Sequence, residues 1–246
     1  MTVYKTMPGR PVAYGYTIGI LCAEWNVPFV PGDLNNASTF DFPVRYLTVE
    51  GASGAEVLTG NAADYADMFI QAAKALEAEG IHAITGNCGY MAAYQEPVSN
   101  AVNVPVFMSS LLQAPMLSRM LGANQRVAVM VANGAGITEQ VLHGAGITDP
   151  DRLVIQGLDH MPHFNEVILR EQGSLDEDRL REEVVTVATE TVTADPSIGA
   201  VLLECSDLPP YARAVHEATG LPVFDWAGFI RYVHDATTPR AYSGTY

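Results

Sequence analysis

The chain has 246 residues, of which 48% are hydrophobic and 17% charged, so it is long and apolar enough to bury a sizeable core. Its formal net charge of −15 at pH 7 argues against nucleic acid and anionic membranes as partners, because their phosphate groups would be repelled. We therefore expect a folded protein whose partners include neither nucleic acid nor a membrane.

Short apolar runs with the length of buried strands alternate along the chain with segments of helical periodicity. Gly80 follows one helical segment, and the pattern Ser174-x-x-Glu177 at the start of another resembles a capping box. Such alternation is typical of parallel sheets that are covered by helices on both faces. In chain order, the predicted elements are strand Thr17–Ala23, helix Ala62–Glu79, strands Ile81–Thr85, Val104–Met108 and Arg126–Ala132, helix Leu175–Thr193, and strands Gly199–Leu203 and Leu221–Phe224.

Part of the first half of the chain is repeated in the second half. Residues 83–107 align without a gap on residues 200–224, at a constant offset of 117 positions. In this alignment Cys88 falls on Cys205, and the motif Pro-Val-Phe at the end of one copy falls on the same motif in the other. The repeat indicates a duplicated α/β unit with a cysteine at the same point of each copy.

We therefore predict an α/β fold with two pseudo-symmetric lobes, each a short parallel sheet flanked by helices, and an active site between them. The predicted N-terminal lobe is 1–120 and carries Cys88, and the C-terminal lobe is 121–246 and carries Cys205. The last strand or helix can cross over to the other lobe. A homodimer or higher homo-oligomer is the expected assembly for a compact enzyme of this size.

The cysteines and the N-terminal segment indicate in which cellular compartment the protein is expected. Cys22, Cys88 and Cys205 are widely spaced and form no C-x-x-C pair, so we expect free thiols in a reducing environment. The first residues lack the apolar region and cleavage site of a signal peptide, and no apolar run approaches the ~20 residues of a membrane span. These features predict a cytoplasmic protein.

Cys88 and Cys205 each follow a short apolar strand and precede a predicted helix. The carboxyl ends of parallel strands line the ligand crevice, and the start of a helix stabilises an anion. The position therefore predicts thiols with a lowered pKa that face each other across one small ligand. One cysteine, as thiolate, would remove the proton next to a carboxylate, and the other, as thiol, would supply one from the opposite face. With a leaving group on the neighbouring carbon, the same carbanion would eliminate it, and one cysteine would suffice.

Other residues near the predicted strand ends are candidates for holding the substrate. A carboxylate beside Cys205, from Asp207 or Glu204, would raise the pKa of that thiol and leave Cys88 as the base. We expect no metal site and no cofactor: Pro162 disrupts the helix that would align His160 with His163, and the sequence has no dinucleotide or phosphate-binding motif. The predicted substrate-binding residues are Asn87, Gly89, Tyr90, Ser109, Ser110, Asn133, Ser206 and Asp207.

The segments Gly86–Gly89 and Glu204–Tyr211 resemble the two cysteine motifs of the aspartate/glutamate/hydantoin racemase superfamily. Pro31-Gly32-Asp33 and the segment Phe42–Tyr46 also resemble one branch of it. The resemblance implies a two-lobed pseudo-symmetric fold, a site between the lobes, cofactor-independent chemistry on a small carboxylate, and acid and base roles for Cys88 and Cys205.

The superfamily includes amino-acid, hydantoin and allantoin racemases, maleate isomerases, arylmalonate decarboxylases and algal-type dimethylsulfoniopropionate lyases. Two cysteines argue against a decarboxylase, and the first expectation is an Asp/Glu-type racemase. The chain departs, however, from the Cys-Asn-Thr turn of typical aspartate and glutamate racemases. Tyr90, Met91, Tyr94 and Trp226 could line a pocket for a bulkier or cationic group, which supports the lyase as the alternative. A two-lobed small-molecule binding protein is the alternative from another class.

Overall fold

The structure, a computed structural model, describes residues 3–5, 13–59 and 62–245. The first half contains β1 (Ile18–Glu24), β2 (Val44–Ser53), α1 (Gly54–Thr59), α2 (Ala62–Ala78), β3 (Ala83–Gly86), α3 (Gln95–Ser99), β4 (Val106–Phe107) and α4 (Ala114–Met120). The second half contains β5 (Arg126–Val131), α5 (Glu139–Gly144), β6 (Leu153–Gly157), α6 (Pro162–Phe164), α7 (Glu177–Ala194), β7 (Ile198–Leu203), α8 (Ala212–Thr219), β8 (Val223–Phe224) and α9 (Trp226–Thr237). None of these described helices is both long and apolar enough to cross a bilayer.

Within the described residues, each half of the chain forms one four-stranded parallel sheet. The strand orders are β2-β1-β3-β4 and β6-β5-β7-β8, which are the same order when strands are counted from the start of each half. The central strand β5 is an almost unbroken buried apolar run, as expected for a parallel strand covered on both faces. The predicted α/β fold with two pseudo-symmetric lobes is confirmed.

The repeat in the sequence is also a repeat in the structure. Helices α3 and α8 begin at Gln95 and Ala212, and the short strands β4 and β8 occupy positions 106–107 and 223–224, all at the offset of 117 residues. The two cysteines therefore occupy equivalent places, each directly beyond the third strand of its lobe.

Two strands were not predicted, and one predicted helix begins at a different residue. Strands β2 and β6 lie at the sheet edges and are largely half-exposed, so they lack the continuous apolar runs that identified the other strands. Helix α7 begins at Glu177, with Asp176 as its N-cap, since the Asp176 carboxylate accepts hydrogen bonds from the backbone N–H groups of Asp178 and Arg179. The expected cap at Ser174 was therefore wrong.

The two halves exchange their last helices. Helix α4, from the first half, contributes Leu117 to the core around β5, while α9, from the second half, contributes Trp226 and Ile230 to the core around β1. Trp226 is fully buried, and its Nε1 donates to Thr85 Oγ1 at 3.1 Å. Each lobe is thus completed by a helix from the other half of the chain, which ties the lobes together at their junction.

Candidate active site

A narrow cleft lies where the two cysteine-bearing loops meet. Ala23, Asn87, Ala132 and Glu204 lie at or just beyond the carboxyl ends of β1, β3, β5 and β7, so both sheets direct their strand ends towards it. Its lining consists of Ala23, Trp25, Asn35, Asn87, Cys88, Gly89, Tyr90, Ala132, Ile168, Leu169, Glu204, Cys205, Ser206 and Asp207. Cys88 and Cys205 therefore border the same space, although they are 117 residues apart in the chain.

Hydrogen bonds connect the first cysteine motif to both lobes. Asn87 Oδ1 accepts from the backbone N–H of Ala23 at 2.9 Å, and its Nδ2 donates to Asn35 Oδ1 at 3.3 Å. The hydroxyl of Tyr90 donates to the carbonyl oxygen of Asn133 and accepts from the N–H of the same residue, both at 2.7 Å. Asn87 thus holds the motif in the first lobe, while Tyr90 anchors it to the end of β5 in the second.

The second cysteine motif is surrounded by carboxyl groups. Cys205 Sγ donates to Asp207 Oδ2 at 3.3 Å, and Ser206 Oγ donates to the same oxygen at 3.4 Å. Asp33 is buried and shares a hydrogen bond with Asp207, and burial together with this neighbour raises the pKa of Asp33 well above its usual range. Burial also raises the pKa of Asp207, but because its Oδ2 accepts from Cys205 and Ser206 we assign the proton of the pair to Asp33 and the negative charge to Asp207.

A loop from the first lobe brings Asp33 to this position. The backbone N–H of Leu34 donates to the carbonyl oxygen of Ser206 at 3.3 Å. Gly32 has a φ of +105°, and a side chain there would lie 3.0 Å from the backbone of Pro210, so glycine is required by both conformation and space. Asp33 was not among the predicted site residues, although the segment Pro31-Gly32-Asp33 is part of the family resemblance.

Glu204, directly before Cys205, is fully buried at 0% exposure and lies against Gly89. A Cβ atom on Gly89 would lie 1.6 Å from Glu204 Oε1, so only glycine leaves room for this carboxyl group. Neither oxygen of Glu204 makes a hydrogen bond within the described part of the chain. Burial raises the pKa of Glu204 to about 8, which favours the protonated acid at neutral pH.

The expectation of thiols with a lowered pKa was wrong for this structure. Burial, with the nearby carboxyl groups of Glu204 and Asp207, raises the pKa of both Cys88 and Cys205. The segments that follow the cysteines are short 3₁₀ turns, and each sulfur receives one backbone N–H group, from Tyr90 and Asp207 respectively. Among the described residues, no lysine, arginine or histidine lines the cleft to offset these effects.

Three of the predicted substrate-binding residues lie away from the cleft. Ser109 Oγ accepts from the N–H of Leu111 at 3.1 Å, and Ser110 Oγ donates to the carbonyl oxygen of Leu203 at 3.2 Å. The Asn133 side chain accepts from the N–H of Ala135 at 2.9 Å. These polar groups stabilise turns and junctions after strands, whereas Asn87, Gly89, Tyr90, Ser206 and Asp207 all border the cleft.

The residues expected to line a pocket for a bulkier or cationic group divide in the same way. Tyr90 lines the cleft, whereas Met91, Tyr94 and Trp226 are buried in the cores of the first lobe. Trp25, which was not predicted, is the second aromatic residue in the described lining, and its buried Nε1 makes no hydrogen bond within the described chain.

Cys22 lies in β1, outside the cleft lining, and burial raises its pKa to about 12. Its sulfur contacts the carbonyl oxygen of Ile20 at 3.6 Å and Asn35 Oδ1 at 3.7 Å. We therefore treat it as a packed, unreactive thiol.

Comparison with curated proteins identifies relatives of one named activity, and no protein-family model matches the chain. Dimethylsulfoniopropionate lyase 7 of Emiliania huxleyi (strain CCMP1516) is 34% identical over 220 residues, covering 85% of this chain and 63% of the relative. A dimethylsulfoniopropionate lyase of Durusdinium sp. clade D is 29% identical over 228 residues, covering 90% of this chain and 75% of that protein. The chain thus spans less than two thirds of the length of the first of these relatives.

Comparison with solved structures identifies the fold. A cysteine-substituted, sulfate-associated form of arylmalonate decarboxylase aligns with a TM-score of 0.62 and 20% identity, covering 92% of this chain and 94% of that one. Allantoin racemase from Pseudomonas fluorescens aligns with a TM-score of 0.57 and 19% identity, covering 89% and 90%. The chain has the fold of the aspartate/glutamate racemase superfamily, as its cysteine motifs predicted.

Proposed function

We propose that the chain is a cofactor-independent lyase that removes the proton next to a carboxylate and eliminates a sulfonium group, with a substrate of the dimethylsulfoniopropionate type. The observation that carries this proposal is the acidic lining of the cleft, in which Asp207 holds the negative charge. Two thiols and the acidic side chains of Glu204 and Asp207 border the cleft, and Asp33 is hydrogen-bonded to Asp207. Within the described chain, no basic residue lines the cleft.

A cleft of this charge suits a substrate that brings its own positive group. Trp25 and Tyr90 contribute aromatic rings to the lining, and the faces of such rings attract onium groups, while Asp207 adds negative charge. A cation bound beside the sulfurs favours their ionised form and so lowers the raised pKa of the thiols. The substrate would therefore help to generate the thiolate that removes its α-proton. Without the substrate, both thiols would stay protonated.

We assign the base role to Cys88 and the thiol role to Cys205. Each sulfur receives one backbone N–H group, but Asp207 also accepts the hydrogen bond of the Cys205 thiol, which favours retention of that proton. In the reaction, the Cys88 thiolate takes the α-proton, the electron pair forms the carbon–carbon double bond, and the carbon–sulfur bond breaks. Dimethyl sulfide leaves with the electrons of that bond, acrylate remains, and Cys88 later returns its proton to solvent.

The relatives named as dimethylsulfoniopropionate lyases support elimination over racemisation. The chain spans 63% of the first relative, and we propose that it has the activity that this relative's name states. Racemisation of an amino acid is the second candidate, since the equivalent positions of Cys88 and Cys205 suit proton exchange on opposite faces of one carbon. The two reactions share removal of the α-proton and diverge once the carbanion has formed.

The test is incubation of the purified chain with dimethylsulfoniopropionate, and separately with aspartate and glutamate, in heavy water. We expect release of dimethyl sulfide and acrylate, measured by gas chromatography and proton NMR. The matched control is the double variant Cys88→Ser/Cys205→Ser, which should release neither. Loss of optical activity with deuterium at the α-carbon of an amino acid, without dimethyl sulfide, would establish the racemase instead. No turnover of any of these acids would overturn both candidates.

A further inference from the structure

The carboxyl group of Glu204 is buried in the cleft lining without a hydrogen-bond partner in the described chain. A buried polar atom without a partner costs free energy, so few are retained in native proteins without a reason. Glu204 follows β7 directly, precedes Cys205 and lies against Gly89, the residue after Cys88. Its carboxyl group thus lies in the cleft lining between the two cysteine motifs.

The surroundings of Glu204 favour its neutral form. The titratable groups that face it are Cys88 and Tyr90 from beyond β3, Cys205 and Asp207 from beyond β7, and, behind Asp207, Asp33. Since none of these is a base that could balance a carboxylate, burial raises the pKa of Glu204 to about 8. A neutral carboxylic acid carries a proton that it can donate, and it does not repel a thiolate on Cys88.

Removal of the α-proton moves negative charge onto the carboxylate of the substrate. Because no basic side chain lines the cleft among the described residues, we expect neutral donors to stabilise this charge. A protonated carboxylic acid in an apolar site is an effective donor to such an oxyanion. We propose that Glu204, in its protonated form, donates a hydrogen bond to the substrate carboxylate and stabilises the charge that collects there in the transition state. This inference rests on the proposed function of the same cleft.

Two substitutions test the proposal through kinetics of dimethyl sulfide release. Glu204→Ala removes the donor, and we expect kcat to fall by about 10²–10³ with a smaller change in KM. Glu204→Gln keeps an N–H donor of similar size that does not ionise. It should retain clearly more activity than Glu204→Ala and lose the alkaline decline of kcat that ionisation of Glu204 would cause. Wild-type kcat in Glu204→Ala, or an equal loss in both variants, would overturn the proposal.

A second measurement needs no substrate. Because the pKa of Glu204 is raised from 4.5 to about 8 on folding, the folded state holds this proton through that range and the unfolded state does not. The wild type should therefore lose stability relative to Glu204→Gln as pH rises from about 5 to 8, measured by urea unfolding. Parallel stabilities across this range would mean that Glu204 is ionised in the folded protein, which overturns the inference.

The two proposals fail in different ways. A wild-type protein that releases no dimethyl sulfide contradicts the proposed function, whatever the state of Glu204. Binding of acrylate, followed by calorimetry, reports the carboxylate contact without turnover. We expect its Kd to rise at least about tenfold in Glu204→Ala, by loss of a hydrogen bond to a charged group. Unchanged acrylate affinity in that variant would contradict the role of Glu204.

Discussion

The two cysteine motifs share a backbone position but differ in side-chain chemistry. At equivalent points of the repeat, the residue before the cysteine is Asn87 in one lobe and Glu204 in the other. The amide of Asn87 is hydrogen-bonded within its own lobe, whereas the carboxyl of Glu204 has no partner in the described chain and fills the space that Gly89 leaves open. The duplication thus places both sulfurs at one cleft, and the later divergence of their neighbours makes the two sulfurs unequal.

A second difference between the two motifs also makes the two thiols unequal. The first motif has Tyr90 where the second has Asp207, and these residues set different surroundings for the two thiols. Tyr90 is engaged with the backbone of Asn133, while Asp207 accepts the hydrogen bond of Cys205. Pseudo-symmetry thus explains the location of the cysteines, and we propose that the difference in charge around them separates their roles.

We expect the largest effect on kcat when the two cysteines are substituted one at a time. Cys88→Ser should lower kcat for dimethyl sulfide release by about 10²–10⁴, the usual contribution of a positioned base. Cys205→Ser should cost less, because elimination requires proton removal but no proton supply to the opposite face. Cys22→Ser serves as the control and should retain activity, since Cys22 lies outside the cleft lining. Full activity in Cys88→Ser, or a larger loss of activity in Cys205→Ser, would contradict the assignment of Cys88 as the base.

The contact between Gly89 and Glu204 can also be disrupted by a substitution at Gly89. Gly89→Ala adds a methyl group that would overlap the Glu204 carboxyl, so Glu204 must move. We expect kcat to fall by about tenfold or more, because misplacing a group by about 1 Å is costly in catalysis. Gly134→Ala is the matched control, since its added Cβ meets no atom closer than 3.8 Å. Equal kinetics for the two variants would show that the position of Glu204 is unimportant.

A smaller effect is expected on the reactivity of Cys205. Asp207→Asn removes a negative charge beside the sulfur, so the pKa of Cys205 should fall and its thiolate fraction at a given pH should rise. Alkylation of Cys205 by iodoacetamide should then become several-fold faster, on the order of tenfold for each pKa unit. Cys88 in the same protein should respond less, because burial and Glu204 contribute more than Asp207 to its raised pKa, and both sites are followed by peptide mass spectrometry. Unchanged labelling of Cys205 would mean that Asp207 carries no charge.

Much of the fold could be predicted from the sequence because the repeat is ungapped. Its offset of 117 residues matches the starts of α3 and α8 and the positions of β4 and β8. The edge strands β2 and β6 escaped prediction because half-exposed strands lack continuous apolar runs. Motif position also placed the two cysteines at the ends of equivalent strands.

The environment of the site was harder to predict, because it depends on tertiary packing. The expected lowering of the thiol pKa assumed a helix start beside each sulfur, and could not include burial or the absence of basic residues from the described lining. Trp25, Asp33 and Asn35 come from the loop between β1 and β2, which lies outside the aligned repeat. Their contributions therefore had no counterpart in the second lobe from which to infer them.

Covalent bridging tests most directly whether the sulfurs of Cys88 and Cys205 face one ligand. The native protein would be treated with dibromobimane, a short reagent that joins two thiols, at mildly alkaline pH because the pKa of both thiols is raised. We predict one bridge between the peptides that contain Cys88 and Cys205, no modification of Cys22, and protection by dimethylsulfoniopropionate. Separate single adducts on Cys88 and Cys205, without a bridge, would contradict the account.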